Sequence, residues 1–154
     1  MLSNLKGLVI SGPTGVGKTD MSIKLAKSLD SEIISADSSQ IYRYMDIGTA
    51  KITNEEMQGI KHYQLDIVDP GEDYSVGDFE IQVNSILKDK EKNQENILLV
   101  GGTGLYIKAI TDGFSNLPSK DEKLRNELEG KTLEELRKML EKLDEKAYGE
   151  IDIY

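Results

Sequence analysis

The chain has no cysteine, a single histidine and, across its 154 residues, no apolar run approaching the roughly eighteen that would span a bilayer. Without cysteine there are no disulfides, no thiolate nucleophile and no Cys-based metal site. That composition fits a reducing compartment, so the expected location is cytoplasmic with no membrane involvement. Basic residues are also scarce: 19 Lys and Arg face 28 Asp and Glu, a formal net charge of −9. This argues against bulk attraction to nucleic acid or anionic lipid, although it leaves room for a local basic groove. Repeats and low-complexity tracts are missing as well. What is there is 38% apolar and 31% charged residues, the length of one domain with enough apolar side chains for a core.

The N-terminus, "MLSNLKGLVISGP", carries one Lys and its apolar run leads straight into a motif, so it reads as a first strand (5–11, buried) and not as a signal peptide. A helix is expected over 18–29, with Met21, Leu25 and Leu29 as its stripe. "EIISA" (32–36) reads as the second strand and "HYQLDIV" (62–68) as another, ended by Asp69-Pro70-Gly71. Ser75 and Asp78 form a candidate cap before a helix carrying Phe79, Val83, Ile86 and Leu87 on one face. "NILLV" (96–100) is the most apolar segment and is expected as a central parallel strand, opening into Gly101-Gly102-Thr103-Gly104 and a short helix. This alternation predicts an α/β parallel sheet. Beyond it lie charged helices with two candidate capping boxes, Ser119 with Glu122 and Thr132 with Glu135. Leu133, Leu136, Leu140 and Leu143 form an apolar face on the second of these helices.

"GPTGVGKT" (12–19) matches G-x-x-x-x-G-K-[ST] in full and sits between a predicted strand and a predicted helix. Gly15 and Gly17 let backbone N–H groups turn toward phosphate oxygens, Lys18 supplies an ammonium, and the Thr19 hydroxyl can ligate Mg²⁺. The helix that follows adds its positive end. The motif therefore predicts that a di- or triphosphate binds through Gly12, Pro13, Thr14, Gly15, Val16, Gly17, Lys18 and Thr19. Kinases and ATPases pair such a loop with an acid at the end of another apolar strand. "NILLV" ends instead in glycines and a threonine, and the acid at a confidently apolar strand end is Asp37. On residues alone, Asp37 reads as a Mg²⁺ ligand, a helix N-cap or something else.

Several segments together resemble one family, the tRNA dimethylallyltransferases, also called tRNA isopentenyltransferases. They are "GPTGVGKT", "ISADSSQIYRYMDIGTAK", "HYQLDIVDP", "YSVGDF" and "LLVGGTGLYIKA", in the family's order and at about its spacing, with "LPSKDEKLR" and "LDEKAYGEID" following. The resemblance implies a P-loop NTPase-like parallel sheet flanked by helices (1–115), then a short charged helical segment (116–154). It implies transfer of a dimethylallyl group from dimethylallyl diphosphate to the N6 amine of the adenosine 3′-adjacent to the anticodon in tRNA. The partners are then the tRNA anticodon stem-loop and dimethylallyl diphosphate, with Mg²⁺ as cofactor, Thr19 as its ligand and a monomer expected. Asp37 matches the family's general base, and Thr103 a threonine beside the reacting groups. Asp37, Ser38, Ser39, Gln40, Thr103 and Arg125 match tRNA-contacting positions.

Bland readings stand beside these: Thr103 as a turn or N-cap residue, Arg125 as a surface arginine, His62 as structural, and Tyr42, Tyr44 and Tyr106 as packing residues. Asp66 and Asp69 read as turn-fixing residues, and Lys51 as an aid to diphosphate binding. The chain stops at about half the family's usual length, so a truncated form with little or no transferase activity is expected. An adenylate isopentenyltransferase and a P-loop nucleotide or small-metabolite kinase are the competing readings; the lack of an Arg-rich lid counts against the kinase.

Overall fold

The computed structural model describes residues 7–113 and 121–151, which fall in two compact units, 1–114 and 115–154. The first unit contains β1 (Gly7–Ser11), α1 (Lys18–Leu29), β2 (Ser31–Ser35), α2 (Asn54–Met57), β3 (His62–Tyr63), α3 (Val76–Asn93), β4 (Asn96–Gly101) and α4 (Gly104–Thr111). Its four-stranded sheet is parallel, in the order β1-β4-β2-β3. The expected α/β architecture and the interior position of "NILLV" are both present. No helix among the described residues is long and apolar enough to cross a membrane.

Alternation along the strands builds a core on each face of the sheet, as the period of two requires. Ile33 of β2 and Leu98 of β4 pack with Ile23 and Ala26 of α1. Their neighbours Ile34, Ile97 and Leu99 face the other way, against Phe79, Val83, Leu87 and Tyr106. The Phe79 and Tyr106 rings stack there with centroids 4.1 Å apart. This settles Tyr106 as a packing residue. The predicted α3 face is the observed one, and its start is a complete Ser75–Asp78 capping box.

Three expectations need correction. The strand over 5–11 was expected to be buried, but β1 is the sheet's edge among the described residues, and Leu8 and Val9 are 43% and 40% exposed. On α1 the buried residues are Ser22, Ile23 and Ala26; of the predicted stripe Leu25 is half-buried and packs against them, while Met21 and Leu29 are exposed. The strand over 62–68 shrinks to β3, because Gln64 (φ 64°) and Asp66 (φ 53°) take left-handed conformations that leave a strand at once. Gln64 is buried there, its amide donating to Gln82 at 3.2 Å and its carbonyl oxygen accepting from the Tyr74 hydroxyl at 2.9 Å.

The second unit holds α5 (Glu122–Glu129), α6 (Leu133–Leu143) and α7 (Glu145–Glu150). The Thr132–Glu135 capping box forms as predicted. Ser119 lies outside the described residues, and the observed cap of α5 is Asp121, whose carboxylate accepts from the Leu124 N–H at 2.9 Å. None of Leu133, Leu136, Leu140 and Leu143 is fully buried.

Candidate active site

A cavity of about 400 Å³ opens at the C-terminal ends of β1, β2 and β4, where parallel α/β sheets place their ligands. One wall is the loop between β1 and α1. Gly15 (φ 82°) and Gly17 (φ 88°) hold left-handed conformations that side chains resist, which turns the loop back on itself. Thr14, Gly15, Gly17, Lys18 and Thr19 line the cavity, and α1 begins beneath them with no side-chain cap on its first turn. The Lys18 ammonium donates to the Gly12 and Pro13 carbonyls, both at 2.8 Å. An ammonium has three donors, so one remains for a ligand oxygen. Gly12 and Pro13 thus serve through Lys18 and do not line the cavity themselves, and Val16 is 60% exposed.

Asp37 lines the same cavity, just past β2. Its Oδ1 accepts the Ser39 N–H at 2.9 Å, an Asx-turn with no helix after it, which removes the N-cap reading. The end of β4 fixes this turn from the side. The Ala36 N–H donates to the Val100 carbonyl at 2.7 Å, and the Thr103 N–H to the Ala36 carbonyl at 3.1 Å. The Thr103 hydroxyl accepts the Ser38 N–H at 3.0 Å and donates to Ser38 Oγ at 3.3 Å. Thr103 occupies the N-cap position of α4 but makes no side-chain cap bond. Its hydroxyl braces the Asp37 turn, at odds with a simple cap, but Thr103 does not itself line the cavity, nor do Ser38 and Ser39.

The opposite wall is one that sequence reading did not resolve. Gln40, Thr49, Ala50 and Ile52 come from the segment after the Asp37 turn, and His62 and Leu65 from β3 and its exit. The Gln40 amide donates to the Thr49 and Ala50 carbonyls at 3.3 and 3.4 Å. The His62 imidazole makes a 2.9 Å hydrogen bond with the Ile60 carbonyl, and burial pushes its pKa below the ordinary 6.5 despite that bond. Lys51, considered above for diphosphate, is spoken for. Its buried ammonium gives all three donors to the Tyr42 carbonyl (2.7 Å), Asp46 (2.7 Å) and Asp66 (2.6 Å). Asp66 and Asp69 do fix the chain, the latter through an ion pair with Arg43 at 3.0 Å. Tyr44 is not a packing residue, being 83% exposed. Arg125 is exposed on α5, in the second unit.

Asp20, Asp37 and Glu56 bring carboxylates to the cavity, yet no group of three acidic or imidazole side chains among the described residues is arranged to cage a metal ion. The donor set suits an ion such as Mg²⁺, which keeps most of its water and takes one or two protein ligands with phosphate oxygens. Thr19, at the first turn of α1, also lines the cavity.

Sheet order, glycine loop and cavity together define an α/β protein of P-loop-like fold with its site at the strand ends. Residues 40–153 match the family model for IPP transferase, and the chain belongs to that family. A tRNA dimethylallyltransferase of Fusobacterium nucleatum is 53% identical over 95% of the chain, which covers 48% of that relative. The full-length tRNA isopentenylpyrophosphate transferase of Bacillus halodurans superimposes with a TM-score of 0.71 at 45% identity, over 96% of this chain and 50% of that one. A eukaryotic dimethylallyltransferase acting on tRNA gives 0.83 at 29% identity, over 96% and 38%. The chain thus spans about half the length of the curated relatives it matches.

Proposed function

We propose that this chain supplies the diphosphate-binding and proton-accepting half of a tRNA prenyl-transfer site. In the reaction the allylic C–O bond of dimethylallyl diphosphate breaks and a C–N bond forms to N6 of the adenosine 3′-adjacent to the anticodon. Diphosphate leaves, and the N6 proton passes to Asp37. The observation that carries this reading is that one cavity is lined by both Asp37 and the glycine loop. A carboxylate and a phosphate cradle in one cavity suit a displacement whose two ends need opposite charges.

The Gly15 and Gly17 turn, the N-terminus of α1 and the free Lys18 donor would take up charge growing on the leaving diphosphate. Thr19 would hold Mg²⁺, which lends further positive charge to the same oxygens. Asp37, fixed by Ser39 and braced through Thr103 and Ser38, would accept the proton of a weakly basic amine. The base must leave its stack to reach it, with Ser38, Ser39 and Gln40 as its first contacts. Arg125 would meet a tRNA phosphate.

Binding of inorganic diphosphate with Mg²⁺, followed by calorimetry, and prenyl transfer to tRNA in the full encoded protein test this together. Asp37→Ala should leave diphosphate binding intact while transfer falls by roughly 10² or more. Lys18→Ala should lose the binding itself. Collapse of Mg²⁺-diphosphate binding in Asp37→Ala would make Asp37 a metal ligand and overturn its assignment as base.

A further inference from the structure

The segment between the Asp37 turn and α2 is held in a form that its own backbone resists. Tyr44 (φ 65°) and Ala50 (φ 47°) are both left-handed without being glycine, as is Asp66 (φ 53°) in the facing turn. Side chains resist this region, and strain of this kind persists only where the surroundings over-determine it. The local bonds are short-range: the Thr49 hydroxyl donates to the Met45 carbonyl, the Ala50 N–H to the Ile47 carbonyl at 3.2 Å, and the Lys51 N–H to the Asp46 carbonyl at 3.0 Å. Two side chains carry the segment across to the facing turn: Arg43, which donates to the Ile67 carbonyl and pairs with Asp69, both at 3.0 Å, and, at the segment's other end, the Lys51 ammonium. It ties Tyr42 and Asp46 on one side to Asp66 on the other, from a side chain only 4% exposed.

What this knot holds up is the cavity wall. Thr49 and Ala50 line the cavity, and their carbonyls are the acceptors for the Gln40 amide. Gln40 in turn lies three residues from Asp37. We infer that Lys51 is a positioning residue for the acceptor side of the site: it fixes the strained 42–51 segment so that Gln40 presents a set edge to the incoming base. The inference rests on the prenyl-transfer reading for the identity of that base, but the mechanical claim stands on the contacts alone. Burial opposes the charge on Lys51, while Asp46 and Asp66 more than offset it, so the ammonium is held in its charged, three-donor form.

The two carboxylates are 65% and 52% exposed, so removing the ammonium leaves them in water and not stranded in the core. Lys51→Met should therefore loosen the segment without unfolding the sheet. Hydrogen exchange should speed up at least about tenfold for amides of residues 42–51, with α1 and β4 within about twofold of the parent. The affinity for inorganic diphosphate with Mg²⁺ should stay within about twofold. In the full encoded protein, kcat for transfer to tRNA should fall about tenfold while KM for dimethylallyl diphosphate holds. Asp46→Asn, which removes one exposed partner, should give the same pattern in weaker form and decides the matter if Lys51→Met does not fold.

Unchanged exchange over 42–51 in both variants overturns the inference, and so does loss of diphosphate affinity with unchanged exchange, which would return Lys51 to the phosphate side. Parent protein that neither binds diphosphate nor transfers a prenyl group sinks the functional reading. The exchange data would still decide what Lys51 anchors.

Discussion

At Gly101 a side chain would have nowhere to go. A Cβ built there would lie 2.1 Å from the Ala36 carbonyl oxygen, which is backbone and already accepts the Thr103 N–H. The close approach is what lets the β4 exit brace the Asp37 turn. Gly101→Ala must push β2 and β4 apart at the site, and we expect a loss of about 3 kcal/mol in stability, measured by denaturant unfolding. Diphosphate affinity should fall with it, because the glycine loop shares that end of the sheet. Gly104 makes a useful control, since an added Cβ there would meet nothing within 4 Å. This constraint was half legible in sequence. The glycines after "NILLV" marked a tight turn, but that the first of them abuts β2 is a matter of sheet order. Lys51 is less legible, because a lysine near a phosphate loop and a lysine buried among carboxylates look identical in one dimension.

Elements were most legible where local chemistry and periodicity agree. The capping boxes at Ser75 and Thr132 are written in residue types three apart, and both form with their reciprocal bonds. Ser75→Ala should cost about 1 kcal/mol, since one orphan N–H of α3 loses its acceptor. Phe79→Ala, deeper in the same helix, should cost about 3–5 kcal/mol, because the ring is fully buried and stacked on Tyr106. Thermal or denaturant melts of the two variants should differ by that ratio. If they cost the same, α3 is not docked through Phe79. Where long-range wiring sets the conformation, the pattern misleads. "HYQLDIV" alternates like a strand, but the Gln64 side chain is tied to Tyr74 and Gln82 of the next segment and helix, and the backbone turns to permit it. Of the stripe Met21, Leu25, Leu29 only Leu25 reaches the core. The face α1 buries includes small Ser22 and Ala26 beside Ile23, a packing choice that apolar spacing does not encode.

For the molecule as a whole, pH should act on stability through separable windows. His62 titrates below its ordinary 6.5 because burial disfavours the charged ring. The unfolded chain therefore binds its proton more readily, and stability must fall as pH drops from above 6.5 toward the folded value, then level off. A second loss belongs to carboxylates held below their ordinary values. Asp78 and Glu56 are kept low chiefly by N-cap bonds from Ser75 and Thr53. For Glu32, burial pushes up, but Lys90 and Tyr63 more than offset it. Their contribution is present above the unfolded values of 3.8 and 4.5 and disappears as pH falls through the lower folded ones. At the alkaline end Lys51 is raised, so its contribution is complete below 10.5 and is lost as pH climbs through the folded value. Melting temperature measured against pH should show a first decline beginning near 6.5, which His62→Gln abolishes while leaving the acid limb in place. A first decline that survives in His62→Gln would mean that the imidazole is as solvated in the fold as out of it, and that the wall of the cavity beside it is open to water.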